Sequence, residues 1–484
     1  MRRKWMALVV AASLTVGSGG TYAGMKWMEA QETGFAVDVA GVLKKGDSKA
    51  ETVNLDKVGQ AYELIYSQYV EEIDKEELVE GAIQGMLAKL GDPYSVYMDK
   101  ETAKQFNESL ESSFEGIGAE VGMDGGKTVI VSPFKNSPAE KAGLKPNDII
   151  RKVDGKSVEG LDLFETTLKI RGKKGTVVEL EIERAGLREP IRVKVKRDQI
   201  PVETVFSDVK NINGKKIGYI ELTSFAEETA SDFKKQLKEL ERSGDGISGL
   251  VIDVRGNPGG LLLSVEEILR ELVSGEKPFV MIEKRNGERD KYYSTLKKEK
   301  EYPVAVLIDK GSASASEILA GALAEAEGYP LVGEKTFGKG TVQQAMPMGD
   351  GSNIKLTLAK WLTPDGNWIH KKGIAPTVEV AQPSIFSTHP LQVDGALQMD
   401  MNNEQVKNAQ AILEGLGYTP GRTDGYFSAG TVRSVKAFQQ QAGLQPTGKI
   451  DAKTAEALET AMTKERKKEK NDLQLRTALL LLAK

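Results

Sequence analysis

The segment of this 484-residue sequence most suggestive of chemistry is a serine-rich run between an apolar stretch and a predicted helix. Residues 303–308 have the composition of a buried strand, and Ser314 stands in the middle of the Ser-Ala-Ser-Ala-Ser-Glu sequence that follows. A serine at a strand-to-helix turn is exposed to substrate and lies beside unpaired helix N–H groups, which are natural donors to an oxyanion. Serine is also a common helix cap, so the run alone leaves a structural role open.

The residue best suited to activate such a serine is Lys339, which stands between two glycines. A serine hydroxyl needs a base to become a nucleophile, and the sequence offers only two histidines, His370 and His389. An ammonium group cannot accept a proton, so a lysine base must be buried to bring its pKa toward neutrality. Gln343 follows four residues later on the same face of an extended strand, where its amide would hold the amine without adding charge.

A second apolar strand, residues 250–254, ends in a glycine-rich turn. The turn reads Arg-Gly-Asn-Pro-Gly-Gly, with Gly259 and Gly260 as its last residues. N–H groups freed at this turn can face the same cleft as the serine. Three further residues of the same types lie in or near these segments but are not the candidate groups: Ser312, Ser316 and Lys335. Ser316 precedes Glu317 and is typical of a helix cap.

Residues 112–199 read as short strands separated by turns. Three segments follow in order: Phe114-Glu115-Gly116-Ile117-Gly118, residues 137–144 and residues 148–150. Together they resemble a PDZ domain, which captures an extended peptide at a sheet edge and holds its carboxylate with backbone N–H groups. The resemblance implies that Phe114 to Gly118 form the carboxylate loop, where glycines let the backbone wrap closely. Arg171, near a turn, is either solvated or couples this domain to the catalytic one.

Four motifs occur in a fixed order: Asp-Val-Arg-Gly-Asn-Pro-Gly-Gly, Ser-Ala-Ser-Ala-Ser-Glu, Gly-Lys-Gly-Thr-Val-Gln and Thr-Pro-Asp-Gly-Asn-Trp-Ile-His. With the PDZ-like segment, they resemble the carboxy-terminal processing (tail-specific) serine proteases over residues 55–385. The resemblance implies a serine endopeptidase with Ser314 as nucleophile, Lys339 as general base and Gln343 as its positioner. It also implies an oxyanion hole made by the N–H of Ala315 and one N–H of the Gly259–Gly260 pair, on a crotonase-like catalytic fold.

The chain is too long for one hydrophobic core, so we expect a multidomain α/β protein. Strands alternating with helices predict an α/β catalytic core, with a β-rich PDZ domain inserted after N-terminal helices. Those helices have little core of their own, so they are expected to pack against the rest of the chain or a second subunit, and the second alternative predicts a homodimer. The predicted divisions are a signal peptide or membrane anchor (1–24), a linker (25–53), the helical region (54–111), the PDZ domain (112–199), the catalytic core (200–385), a small all-α domain (401–462) and a charged, leucine-rich tail (463–484).

The N-terminal segment has the pattern of a secretory signal peptide. Three basic residues at 2–4 precede an apolar run at 5–16, and Thr21-Tyr22-Ala23 resembles a cleavage site. The run is short for a membrane span, which needs about 20 apolar residues, although an uncleaved segment would serve as an anchor. We therefore expect an extracytoplasmic protein, either secreted or anchored to the membrane.

Residues 401–462 have a helical pattern and resemble the small peptidoglycan-binding domain found on cell-wall enzymes. Two loops in register, Asp424-Gly425 and Thr447-Gly448, favour binding over the alternative of a three-helix bundle without a ligand. The resemblance implies peptidoglycan as a partner and association with a bacterial cell wall.

Composition narrows the remaining function classes. The net charge is −4 and no large basic stripe occurs outside the far C-terminus, so nothing indicates nucleic acid. The chain contains no cysteine and only two histidines, which leaves no basis for a metal site, and we expect no cofactor.

The predicted substrates are exported proteins with free C-termini, processed at the cell envelope. One alternative is a wall-bound PDZ scaffold with an inactive core, against which the intact Ser314, Lys339 and Gln343 argue. The other is an acyl-CoA enzyme, which explains neither the export segment nor the PDZ insert.

Overall fold

The computed structural model describes residues 55–484 except 125, 185, 186, 188, 245, 390, 392 and 394. The predicted signal or anchor segment, residues 1–24, and the linker, residues 25–53, lie outside the described residues. Within the described part of the chain, every helix is too short or too polar to cross a membrane.

The N-terminal helical region begins with two helices, α1 (Asp56–Gln68) and α2 (Lys75–Ala88). The carboxylate of Asp74 starts α2 because it accepts hydrogen bonds from the N–H groups of Glu76 and Glu77. Neither helix contains a buried residue. Large apolar side chains are instead exposed along both: Val58, Leu64, Ile65, Tyr66, Val79 and Met86. The chain continues into β1 (Val96–Met98) and α3 (Lys100–Leu110).

The PDZ-like region is built on an antiparallel sheet of order β3-β4-β5-β7-β8, with β6 added beside β5. Along β7, Val178, Leu180 and Ile182 are buried and alternate with more exposed residues, as expected for a sheet covered on one face. The first and last strands of the region, β2 and β9, pair with each other and bring its two ends together. The elements are β2 (Ser113–Gly116), β3 (Ala119–Asp124), β4 (Lys127–Pro133), α4 (Pro138–Lys141), β5 (Ile149–Val153), β6 (Lys156–Ser157), α5 (Leu163–Ile170), β7 (Val177–Glu183), β8 (Ile191–Lys196) and β9 (Asp198–Pro201).

The catalytic region contains two sheets and three long helices. Its elements are β10 (Val205–Ile212), β11 (Lys215–Leu222), α6 (Thr229–Arg242), β12 (Gly249–Asp253), α7 (Leu262–Leu272), β13 (Pro278–Lys284), β14 (Arg289–Tyr293), β15 (Val304–Ile308), α8 (Ala315–Glu325), β16 (Leu331–Gly333), β17 (Thr341–Pro347), β18 (Asn353–Leu362) and β19 (Val378–Glu379). The first sheet has the order β10-β11-β12-β15-β16-β19 and is parallel except for β10. Strands β12 and β15 are buried at every residue, as parallel strands covered on both faces must be.

The second sheet of the catalytic region incorporates a strand from the N-terminal region. Its order is β1-β18-β13-β14, and β17 also pairs with β18. In the antiparallel β1–β18 pair, Val96 lies opposite Lys355 and Met98 opposite Asn353. The segment that precedes the PDZ insert is therefore an integral part of the catalytic fold.

The C-terminal domain consists of α9 (Glu404–Gly415), α10 (Ala429–Gln441) and α11 (Ala452–Arg466), with a small ladder between β20 (Ala396–Leu397) and β21 (Ile450–Asp451). Its hydrophobic core starts before residue 401, because Ile385 packs against Gly415. Gln410 accepts from the N–H of Gly425, and Gln439 accepts from the N–H of Gly448. Each glycine loop that favoured binding in the sequence is thus tied to a buried glutamine of the domain itself.

The leucine-rich end of the chain forms α12 (Leu473–Leu482) and covers the outer face of the parallel sheet. Leu475 and Leu479 pack there against Val251 and Leu307. The interval 463–484, interpreted from sequence as a tail, thus contains a helix that closes the catalytic core. Burial of this face is the physical reason for its run of leucines.

Candidate active site

Ser314 occupies the position immediately before α8, in a backbone conformation unusual for a residue with a side chain. Its φ is 54° and its ψ is −113°. Positive φ in a non-glycine residue costs about 1–3 kcal/mol and tends to occur where function requires it. The two neighbouring serines have structural partners, since Ser312 Oγ donates to the carbonyl of Val254 (2.7 Å) and Ser316 Oγ to that of Asn257 (2.9 Å). Of the three serines, Ser314 is the one most available for chemistry.

Glu317 connects the serine turn to the lysine loop. Its Oε2 accepts from the N–H groups of Ser314 (2.9 Å) and Lys339 (2.8 Å). Its Oε1 accepts from the N–H of Gly338 (2.7 Å) and from the hydroxyl of Thr336 (2.5 Å). Burial raises the pKa of Glu317, while these four hydrogen bonds act in the opposite direction. One buried carboxylate therefore sets the backbone positions of both candidate catalytic residues.

Lys339 is completely buried, with 0% of its surface exposed. Burial lowers its pKa well below the ordinary value, and the positive charge of Lys355 lowers it further, whereas Asp92 and Glu317 raise it. The Nζ atom lies 4.8 Å from the ring centre of Tyr94. A lysine whose pKa is lowered by desolvation holds a larger neutral fraction and can accept a proton.

Gln343 lies on β17 opposite Thr357 of β18. Its Nε2 donates to the hydroxyls of Thr341 (2.8 Å) and Thr357 (3.2 Å). Its Oε1 is buried and has no hydrogen-bond partner among the described residues. A buried amide oxygen without a partner is costly in free energy, which points to an acceptor held ready for a donor.

The Gly259–Gly260 pair lies directly against the serine turn. A Cβ atom on Gly259 would stand 3.0 Å from Ser314 Cβ and 3.1 Å from the nitrogen of Ala315, and one on Gly260 would stand 2.1 Å from the carbonyl oxygen of Phe225. The two positions therefore exclude any side chain. The N–H of Gly259 donates to Oδ1 of Asn257 (2.8 Å). No hydrogen bond between described residues uses the N–H of Gly260 or of Ala315 as a donor.

Phe114 to Gly116 lie in β2, so only Ile117 and Gly118 of the predicted carboxylate segment form a loop. Gly118 has a φ of +73°, and a Cβ on it would stand 2.5 Å from Ser137 Cβ, so only glycine fits. Glu115 accepts from the N–H of Lys174. The Arg171 guanidinium lies 4.8 Å from the Phe114 ring centre.

Arg171 also reaches out of the PDZ-like region. Its guanidinium forms an ion pair with Glu108 of α3 (3.1 Å). A cavity of about 350 Å³ lies beside this pair and is lined by Phe114, Leu168 and Arg171 on one side and by Val202, Ser224 and Ala226 on the other. Residues of the PDZ-like region and of the segment that follows β11 thus line the same cavity.

Sequence reasoning missed Asp92, Tyr94 and Lys355 as neighbours of the lysine, and Glu317 as its link to the serine. Glu317 was visible as the last residue of the Ser-Ala-Ser-Ala-Ser-Glu run, but no role was predicted for it. Within the described residues, no group of three or more histidine, aspartate or glutamate side chains is arranged to hold a metal ion.

Comparison with known proteins identifies the family. The chain is 57% identical over 479 residues to the carboxy-terminal processing protease CtpB of Bacillus subtilis (strain 168), covering 99% of each chain. The chain belongs to the carboxy-terminal processing protease family. It is 44% identical to the protease CtpA of the same organism, over 91% of each chain. Among solved structures, the photosystem II D1 C-terminal processing protease matches with a TM-score of 0.43 and 30% identity, covering 68% of this chain and 87% of that one.

Family models match four successive parts of this carboxy-terminal processing protease. They are the activating protease CtpB N-terminal domain (residues 14–102), the PDZ domain (116–195), peptidase family S41 (216–380) and the putative peptidoglycan binding domain (402–458). These findings confirm the resemblances stated from the sequence, the multidomain α/β fold class and the prediction of a serine-type peptidase.

Proposed function

We propose that this protease cleaves peptide bonds with Ser314 as nucleophile and Lys339 as general base. The neutral Nζ of Lys339 takes the hydroxyl proton as Ser314 Oγ attacks the substrate carbonyl carbon. The resulting ammonium group then gives the proton to the departing amine, leaving an acyl group on Ser314 Oγ. Water activated by the same amine hydrolyses the ester. The observation that carries this assignment is the complete burial of Lys339 beside a serine turn to which it is tied through Glu317.

The oxyanion hole in this proposal is formed by the N–H groups of Ala315 and Gly260. The support is the hydrogen-bond pattern, because the N–H of Gly259 already donates to Asn257. Ala315 is the first residue of α8, where an N–H has no partner within the helix. Two such donors aimed at a developing negative charge contribute several kcal/mol to transition-state stabilisation, at about 3 kcal/mol each.

Covalent labelling tests the nucleophile and the base together. A fluorophosphonate should label Ser314, as located by mass spectrometry of the digested protein, and Lys339→Ala should suppress the labelling. The matched control is the double variant His370→Gln/His389→Gln, which contains no histidine and should be labelled at the rate of the wild type. Labelling of another serine, or dependence on a histidine, would refute the proposed pair.

The proposed substrates are exported proteins whose free C-termini enter through the PDZ domain. The PDZ fold binds peptide ends by adding a strand and holding the carboxylate with backbone N–H groups. A peptide with a free apolar C-terminus should therefore bind more tightly than its C-terminal amide, measured by calorimetry. Equal affinities would rule out carboxylate recognition. Arg171, paired with Glu108 outside the domain, is the proposed coupling residue.

A coupling role for Arg171 predicts effects on turnover. Arg171→Ala and Glu108→Gln both remove the ion pair and should both change kcat on a protein substrate. Glu108→Gln leaves the contact between the Arg171 guanidinium and the Phe114 ring in place, so the affinity for peptides should stay unchanged in that variant. Unaltered kcat in both variants would leave the ion pair without a coupling function.

The proposed location is extracytoplasmic, with the chain secreted or anchored to the membrane and held at the cell wall for regulated processing. The signal-like residues 1–24 and the match to a peptidoglycan-binding domain support this. The proposed assembly is a homodimer formed through α1 and α2, whose apolar side chains lie exposed. Cell fractionation with an antibody to the chain tests the location, and recovery in the cytosol would contradict it.

A further inference from the structure

A loop from the N-terminal region enters the neighbourhood of the candidate catalytic lysine. Residues 92–95 follow α2 and lead into β1, which pairs with β18. The hydroxyl of Ser95 accepts from the N–H of Thr357 (3.1 Å), and the Tyr94 ring faces Lys339 Nζ. The loop is thereby attached to β18 beside the strand that carries Gln343.

Asp92 is the charged residue of this loop, and its carboxylate is fully engaged. Its Oδ2 accepts from the hydroxyls of Ser95 and Thr357, both at 2.6 Å, and its Oδ1 accepts from the N–H of Tyr94 (3.1 Å). Burial alone would raise the pKa of Asp92, but these hydrogen bonds outweigh it and the pKa is lowered. The group is therefore an ionised carboxylate, which accepts hydrogen bonds and cannot donate them.

This acceptor fixes the direction of the next two hydrogen bonds. Since Thr357 must donate its only hydroxyl hydrogen to Asp92, its oxygen can only accept from Gln343. The group on Gln343 that faces Thr357 is then necessarily Nε2, as the 3.2 Å contact shows. The same orientation turns Oε1 of Gln343 to the other side of the amide, where it is buried without a partner among the described residues.

We propose that Asp92 is a positioning residue that acts through Thr357 to orient the Gln343 amide, so that Gln343 Oε1 accepts a hydrogen bond from Lys339 Nζ. The relay rests on the proposed function of Lys339 as general base. It gives the buried oxygen of Gln343 its partner and holds the amine in one orientation. It also makes the loop after the N-terminal helices necessary for the general base.

The charge of Asp92 acts on Lys339 as well. Asp92 from the loop, Glu317 from α8 and Lys355 from β18 act on this amine through their charges, and the Tyr94 ring centre lies 4.8 Å from Nζ. The negative charge of Asp92 stabilises the ammonium form and so raises the pKa of Lys339. Its removal should therefore shift the rise of activity to lower pH, whereas loss of the hydrogen-bond relay lowers the rate at every pH.

The decisive variants change Thr357, which transmits the effect without a charge. Thr357→Val keeps the shape of the side chain and removes the hydroxyl, so kcat should fall about 10–100-fold with KM nearly constant, since the relay does not touch substrate. Thr357→Ser restores a hydroxyl and should recover most of the lost rate. Asp92→Asn should lower kcat by a similar factor and also move the pH profile to lower pH.

Ser95→Ala is the matched control, because Ser95 donates to the same carboxylate and accepts from the backbone N–H of Thr357 but contacts neither the Thr357 hydroxyl nor Gln343. It should reduce the melting temperature and leave kcat within about twofold of the wild type. The relay would be overturned if Thr357→Val kept the wild-type kcat. It would also be overturned if Thr357→Val and Ser95→Ala lost kcat to the same extent and in proportion to their loss of melting temperature. If Gln343→Ala and Lys339→Ala were fully active, the proposed function itself would fail. If Gln343→Ala and Lys339→Ala were inactive while Thr357→Val and Asp92→Asn kept the wild-type kcat, the relay would fail and the proposed function would stand.

Discussion

The backbone N–H groups of Ser314 and Lys339 donate to one and the same oxygen atom, Oε2 of Glu317. The candidate nucleophile and the candidate base come from segments on either side of α8 and β16, yet the backbone N–H groups of both lie within hydrogen-bond distance of this atom. Glu317 is completely buried, so water does not weaken these contacts. This shared contact fixes the backbone position of the candidate nucleophile relative to that of the candidate base.

The three serines of the turn should differ in what their loss affects. Ser314→Ala should lower kcat about 10³-fold or more and leave the melting temperature nearly unchanged, because it removes only the hydroxyl proposed to react. Ser312→Ala should retain catalysis per folded molecule but lower the free energy of unfolding by about 1–3 kcal/mol, since its hydroxyl is buried and bonded to the Val254 carbonyl. Peptide cleavage and thermal denaturation measure the two effects. An inactive but stable Ser312→Ala would identify a different nucleophile.

The pH dependence of kcat/KM should report the lysine. The proposed mechanism requires the neutral amine, so activity should rise with pH through the lowered pKa of Lys339. Lys355→Met removes a positive charge that lowers this pKa, so its profile should move to higher pH. The difference should be largest below pH 8, because burial lowers the pKa of Lys355 to about 8 and it is charged below that value. A profile without a rise from acid to alkaline pH would exclude a lysine base.

Burial of Lys339 should cost stability that its replacement recovers. Its folded-state pKa lies below the unfolded value, so the unfolded state binds more protons and stability rises with pH between the two values. Lys339→Met has no charge to desolvate and should be inactive at neutral pH yet melt at a higher temperature than the wild type. Lys360→Met, at an exposed lysine of β18, serves as the control. A less stable Lys339→Met would show that its packing outweighs its desolvation.

The C-terminal domain should be removable only as an internal segment. Gln382 Nε2 donates to Oδ1 of Asp472 (2.6 Å), so the two ends of the segment 383–471 lie side by side. Replacing that segment by a short glycine linker keeps α12 and should preserve cleavage of a soluble peptide while abolishing retention on purified peptidoglycan. Truncation after residue 382 also removes α12 and uncovers Val251 and Leu307, so it should give an unfolded or aggregated protein.

Two outcomes would contradict this division of roles. Wall retention after the internal deletion would place peptidoglycan binding elsewhere in the chain. Full activity after truncation would show that α12 is dispensable to the catalytic sheet.

An isolated fragment of residues 384–471 should fold better than residues 401–462, because it includes Ile385, which belongs to the domain's core. Circular dichroism melting compares the two fragments.

The proposed dimer should depend on the exposed apolar side chains of α1 and α2. Leu64→Glu combined with Met86→Glu places two charges among them and should give monomers in sedimentation experiments, since neither side chain contributes to the core of the chain itself. Leu187→Glu, at a similarly exposed position in the PDZ-like region, should leave the sedimentation unchanged. A monomeric wild-type chain, or a dimer that survives the double substitution, would contradict the proposal.

By itself, the sequence determined the order of the domains and the chemical types at the site. Strand–turn–helix patterns are local, and so Ser314, Lys339 and the Gly259–Gly260 pair were predicted from short motifs. The same local view placed Lys339 on a strand with Gln343, whereas β17 begins only at Thr341 and Lys339 lies in the preceding loop. The domain boundary before 401 was likewise invisible, because Ile385 joins the C-terminal core through contacts distant in sequence.

Only the tertiary structure decided which groups can react and what surrounds them. The partners that engage Ser312 and Ser316 come from another strand end, and the burial that lowers the pKa of Lys339 is contributed by several segments. Asp92 and Thr357 are 265 residues apart, yet they share a 2.6 Å hydrogen bond. A periodic pattern shows which face of a segment is buried but not which distant segment packs against that face. Desolvation and hydrogen-bond direction depend on those tertiary contacts, so they could not be predicted from the sequence.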